Sequence, residues 1–71
     1  MNLITDTELS MTELNFQLSD FGLQPADWRL IRKTDEQIKI ENKFESSFYF
    51  LGRTQKNGSK DYWKNIQLAG L

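Results

Sequence analysis

Ser47-Phe48-Tyr49-Phe50-Leu51-Gly52-Arg53 and Asp61-Tyr62-Trp63-Lys64-Asn65-Ile66-Gln67-Leu68, joined across Lys56-Asn57-Gly58-Ser59, decide the fold. The first run is rich in aromatic residues and apolar on both parities, as expected of a central strand packed on two sides. Asn57-Gly58 is the strongest turn signal in the chain, because both residues tolerate the positive φ that tight hairpins use. Two antiparallel strands follow.

The register of this hairpin determines which residues meet. A two-residue Asn57-Gly58 turn sets Tyr49 opposite Ile66. A three-residue loop, Lys56-Asn57-Gly58 with Gly58 left-handed in a G1 bulge, sets Phe48 opposite Ile66 and Arg53 opposite Asp61. The latter separates apolar from polar more cleanly and is preferred, since a slip of one residue moves every side chain to the other face. It predicts a core face of Phe48, Phe50, Tyr62, Ile66 and Leu68, joined by Ile38 and Ile40. The far face then carries Tyr49, Leu51, Arg53, Trp63 and Asn65.

Upstream, Trp28-Arg29-Leu30-Ile31-Arg32-Lys33 and Gln37-Ile38-Lys39-Ile40-Glu41-Asn42 flank Thr34-Asp35-Glu36 and read as a further hairpin. No glycine fixes that loop, so whether Leu30 or Ile31 faces inward stays open. A loop around Phe44-Glu45-Ser46 leads into the aromatic strand.

Before Trp28 the period changes. Ser10 and Glu13 form a capping-box pattern, Leu9 and Leu14 a hydrophobic staple, and Gly22 with Leu23 a Schellman stop against Leu18. This predicts a helix over 11–21 with Met11, Leu14, Leu18 and Phe21 on the stripe that meets the sheet. Leu14, Phe16 and Leu18 also alternate as in a strand, but a strand has no use for the caps. Pro25-Ala26-Asp27-Trp28 is a single turn with Pro25 at its first position. The fold class is therefore α+β: an N-terminal α-helix packed on one face of a four-stranded antiparallel β-meander.

The 71 residues form one domain, an acidic helical segment over 1–27 followed by the meander over 28–71. Residues 1–27 hold Asp6, Glu8, Glu13, Asp20 and Asp27 without a basic residue, for −5; residues 28–71 hold nine basic and five acidic side chains, for +4, which recovers the net −1. The halves attract, and the bland outcome is an acidic helix beside a mildly basic sheet.

Composition excludes a good deal. With 38% hydrophobic and 27% charged residues the chain is expected to fold as a soluble domain. It lacks cysteine, hence disulfides, thiolate metal sites and thiol nucleophiles, and this points to the cytoplasm. Histidine is absent too, which removes the commonest general base and nitrogen ligand. No leader pattern or apolar run of membrane-spanning length is present. Gly22, Gly52, Gly58 and Gly70 stand isolated, outside any phosphate-binding loop, and Asp35-Glu36 is a solvated turn rather than a calcium loop. A non-enzyme without cofactor or metal is expected. Size and cysteine usage suit a prokaryotic accessory protein, and no known family is legible in the residues.

The expected site is the uncovered side of the sheet, where Tyr49, Leu51 and Trp63 form a patch rimmed by Arg53, Lys39 and Lys43. Three fates compete for it. The patch packs on the chain's own N-terminal residues, including Leu3 and Ile4; or it binds another protein or a second copy, for which Tyr, Trp and Arg are suited; or it stacks unpaired bases of a single-stranded nucleic acid. The calculated pI near 5.2 weighs against the last. Lys56 and Lys60 at the hairpin tip read as solubilising charges, and a final strand at the sheet edge is able to recruit another chain by backbone pairing.

Overall fold

The computed structural model describes residues 6–70, with side chains from Ser10 onward. The order is α1 (Asp6–Gln17), a 3₁₀ segment Leu18–Phe21, a 3₁₀ turn Pro25–Asp27, then β1 (Trp28–Arg32), β2 (Gln37–Asn42), β3 (Tyr49–Asn57) and β4 (Lys60–Gly70). The strands form one antiparallel sheet in the order β1-β2-β3-β4, so the expected α+β meander is the fold.

The helix stop is built as its residues require. Gly22 is left-handed at φ 79°. Its N–H donates to the Ser19 carbonyl at 3.1 Å, and that of Leu23 to the Leu18 carbonyl at 3.1 Å. These two bonds are the Schellman pair, and they satisfy carbonyls that the helix end leaves open. Pro25 opens the following 3₁₀ turn, where its missing N–H costs nothing. The helix start differs from expectation: α1 already runs from Asp6, so Ser10 lies within it and caps nothing. Leu9, Leu3 and Ile4, invoked for the staple and for covering the sheet, lie outside the described side chains. Phe21 also departs from its expected core position and is exposed at the helix end.

In the first hairpin Leu30 pairs with Ile40 and Ile31 with Lys39. Ile40 is buried, so Leu30 faces the helix and Ile31 the far side. The loop closes on side-chain chemistry: Thr34 Oγ1 accepts from the Glu36 and Gln37 N–H groups, and the Arg32 guanidinium donates to the Thr34 and Asp35 carbonyls. Asn42 Oδ1 performs the same service after β2, accepting from the Phe44 and Glu45 N–H groups.

The second hairpin corrects the register. Asn57 pairs with Lys60, so the turn is Gly58-Ser59, with Gly58 at φ 70°. Neither the Asn57-Gly58 turn nor the three-residue loop is used. Beyond it, Thr54 pairs with Trp63 but Arg53 with Asn65, so Lys64 is an extra residue in a β-bulge. A bulge resets the alternation. Trp63 and Ile66, of opposite parity, therefore share the helix side, while Tyr62 turns to the far side, the reverse of what strict alternation predicts.

The core consists of Leu14 and Leu18 from the helical segment with Trp28, Ile38, Ile40 and Trp63 from the sheet. Burying each of the two leucines contributes roughly 1.5–3 kcal/mol. Phe48 and Phe50 extend this core, their rings set 5.2 and 5.4 Å from that of Trp28 in edge-on contacts. Trp63 lies against Gly52, where any Cβ would collide with its ring. Its indole Nε1 donates to the Leu14 carbonyl at 2.8 Å. Gln17 then grips the strand itself: Nε2 donates to the Asp61 carbonyl at 3.0 Å, and Oε1 accepts from the Trp63 N–H at 3.3 Å.

Two stability predictions arise. Gly52→Ala forces the Trp63 ring out of its seat and lowers the unfolding free energy by about 1–3 kcal/mol in urea melts, with a red shift in tryptophan emission; unchanged stability contradicts the close approach. Gln17→Ala strips two partly buried backbone groups of their partners and costs about 1–3 kcal/mol, whereas Gln24→Ala on the exposed surface leaves the midpoint in place.

Candidate functional site: the uncovered face of the sheet

Cross-strand pairing arranges the face opposite the helix in rows. Arg29, Glu41, Tyr49 and Gly70 form one row, Ile31, Lys39, Leu51 and Gln67 the next, and Gln37, Arg53 and Asn65 the third. Among the described residues, no helix or loop packs over these rows.

Four of the five expected site residues are brought together here. Tyr49, Leu51 and Lys39 line a shallow hollow of about 320 Å³ with Lys33 and Gln37. Arg53 stands in the adjacent row and pairs with Glu36 across 3.9 Å of solvent-exposed surface. Such an ion pair contributes little to stability, so the Arg53 guanidinium is available to another anion at small cost.

Trp63 is the exception and a correction. It is 6% exposed, on the opposite side of the sheet, sealed beneath the helix. The bulge at Lys64 is the cause, since the added residue lets Trp63 and Ile66 both face inward. An aromatic surface built around Trp63 therefore does not exist. Its place on the far side is taken by half-buried Tyr62, which lies across from Gln55. Lys43 follows β2 in the loop, its N–H bound to the Asp27 carbonyl, and is not part of the hollow.

Tyr49 is held rather than free. Its ring rests on the backbone of Gly70, where a Cβ would strike it, and Lys39 Nζ lies 4.5 Å from the ring centroid. A cation over an aromatic face is attracted to the ring quadrupole. The ring thus presents a fixed apolar edge beside a positive charge. Ile31 and Leu51, flanking Lys39 in the same row, supply the remaining apolar surface.

The electrostatics of this face follow from the register. Arg29, Lys33, Lys39 and Arg53 stand against Glu41 within the rows and Glu36 at their margin. The described acidic side chains of the N-terminal third, Glu13, Asp20 and Asp27, lie elsewhere, on the helical layer and its connection to β1. Sequence reasoning missed Ile31, Lys33, Gln37 and Arg29 because the first hairpin's register was open. The alternation of Trp28 and Leu30 against Arg29 and Ile31 was the available signal.

Among the described residues no group of three or more acidic side chains is placed to hold a metal ion. No described helix is long and apolar enough to cross a membrane. No protein-family model matches the chain, and neither the curated proteins nor the solved structures include a match to it.

Proposed function

We propose that this chain is a non-catalytic, cytoplasmic binding domain whose uncovered sheet face engages the acidic, partly apolar surface of another protein. The observation that carries the reading is the hollow itself. Tyr49, resting on Gly70, and Leu51 supply its apolar lining, and Lys33 and Lys39 line it with positive charge. A side chain that is already immobile loses little entropy on binding, so contact area over Tyr49 converts more fully into affinity. The cations favour an acidic partner and speed its approach.

Burial of Trp63 weakens the alternative of single-stranded nucleic acid. Stacking of successive bases needs several exposed rings. Tyr49 is engaged by Gly70 and Lys39, and Tyr62 is a separate, half-buried ring beyond the bulge. A protein surface, which needs apolar contact and a charge match but no stacking ladder, suits what remains.

The experiment is a titration of isotope-labelled protein, followed by amide chemical shifts, with a short peptide in which Glu alternates with Leu. A Lys-Leu peptide and a thymidine oligonucleotide serve as comparisons. The acidic peptide is expected to shift Ile31, Lys33, Lys39, Tyr49 and Leu51, and to do so less as salt shortens the screening length to about 10 Å at 0.1 M. The double variant Lys33→Glu, Lys39→Glu weakens that binding by about tenfold or more, about 1.4 kcal/mol, while stability falls only by the lost cation–π contact, about 0.5–1 kcal/mol. Shifts produced by the oligonucleotide and not by the acidic peptide overturn the reading.

A further inference from the structure

The geometry points to a second interaction surface, distinct from the sheet face: we propose that the open half of the β4 edge pairs antiparallel with the same edge of a second copy, about a two-fold axis at Gln67.

β4 is an edge strand of eleven residues, twice a typical strand. Its two halves are treated differently. At the upstream half, the Asp61 carbonyl and the Trp63 N–H point away from β3, and the Gln17 side-chain amide binds both. That amide offers one donor and one acceptor, as a neighbouring strand would. It occupies the edge. These two bonds also fix the phase of the strand: Asp61 and Trp63 direct their backbone groups outward, and Tyr62 directs its own toward β3.

The phase can be carried downstream. Lys64 and Asn65 together oppose Arg53 across the bulge, after which Ile66 opposes Gly52, Gln67 opposes Leu51 and Leu68 opposes Phe50. The Thr54 N–H donates to the Glu36 carbonyl at 2.9 Å, so Thr54, and by alternation Gly52 and Phe50, turn their backbone groups toward β2 and away from their partners on β4. Ile66 and Leu68 consequently present N–H and C=O groups to the open side, and Gln67 does not. No side chain of the described residues is recorded as bound to them.

Natural edges are usually blunted by charge, proline or brevity. The opposite edge, β1, is five residues long and carries Arg29 and Arg32. Residues 66–69 of β4, Ile66-Gln67-Leu68-Ala69, carry no charge and no proline, and Leu68 is 52% exposed on the helix side. This is the unprotected stretch.

A second copy fits it better than an arbitrary strand because the stretch is self-complementary. With the axis at Gln67, Ile66 faces Leu68 of the second copy and Leu68 faces its Ile66, and these are the residues whose backbone groups point outward on both sides. Lys64 falls opposite Gly70, so no like charges are opposed, and the register shifts at Lys64 and Ala69 confine the regular ladder to residues 65–69 within that overlap. The exposed Leu68 gains an apolar neighbour, and both copies keep their helices on one side of a continuous eight-stranded sheet. Gln17 stays clear, because Asp61 and Trp63 lie upstream of the overlapping residues 64–70. The contact is isologous and closes on itself. An interface this small gives a weak, concentration-dependent dimer.

Sedimentation velocity over a concentration series, up to about 1 mM, is expected to show the mass rise from monomer to dimer. Hydrogen exchange on the same samples should protect the Ile66 and Leu68 amides at the high end only. Leu68→Pro removes an outward donor without removing a bond to β3, a position at which an edge strand accepts proline, and Leu68→Lys places a charge against the second copy's Ile66. Either variant should shift the association constant at least tenfold toward monomer with the wild-type circular dichroism spectrum retained. A chain that stays monomeric throughout overturns the proposal, as does a dimer that survives Leu68→Lys or leaves the two amides unprotected; the amide readout on the wild-type chain decides the matter even if the proline variant fails to fold.

Discussion

The Trp63 indole, seated on the bare backbone of Gly52 and bonded through Nε1 to the Leu14 carbonyl, is the contact on which the rest of the molecule depends. It joins three elements at one point: β3 supplies the space, β4 the ring and α1 the acceptor. A buried indole N–H without a partner is costly, and a helix carbonyl already serving the helix has a second lone pair to offer. The same ring therefore fixes the distance of helix from sheet by its size and the position of the helix along the strand by its hydrogen bond.

Gln17 adds orientation to that distance. By answering the Asp61 carbonyl and the Trp63 N–H with a single amide, it sets the C-terminal end of α1 against β4, while the helix also reaches β1. The helix then turns through its 3₁₀ segment, stops at Gly22 and returns to β1 by way of Pro25, whose carbonyl accepts from Asn15 Nδ2 at 3.2 Å. Every one of these devices lies on one side of the sheet. The described helical residues all lie there, and the far face with Tyr49, Leu51 and Lys39 is what remains.

The parts of this arrangement that were legible in the residues are the local ones. Gly22 with Leu23, Pro25 at a first helical position, the strand order and the inward Ile38 and Ile40 all follow from chemistry within a few residues of each site. Trp63 was placed on the wrong face because the bulge at Lys64 is set by tertiary fit: once the turn falls at Gly58-Ser59, only an added residue lets both Trp63 and Ile66 reach the core. Gly52 held the missed clue. A lone glycine in an aromatic central strand marks a close approach by something large, and the ring that crosses from β4 to fill that space is Trp63. Ser10-x-x-Glu13 misled in the other direction, since a capping pattern also occurs within a helix that has already begun.

The far face and the open edge have a common origin in size. A chain of 71 residues buries a smaller share of its surface than a larger domain, and one helix has a fixed width with which to cover four strands. Anchoring that helix on β4, as Trp63 and Gln17 require, protects the upstream edge of β4 and the inner face beneath it, and the helix also reaches β1. The outer face and the downstream edge lie on the other sides of the same strands, and among the described residues no helical side chain hydrogen-bonds to them. They differ in chemistry: the face offers fixed side chains among cations, and the edge offers unpaired backbone flanked by Ile66 and Leu68. A ligand for one has no reason to suit the other, so a single small fold can carry two contacts that do not compete.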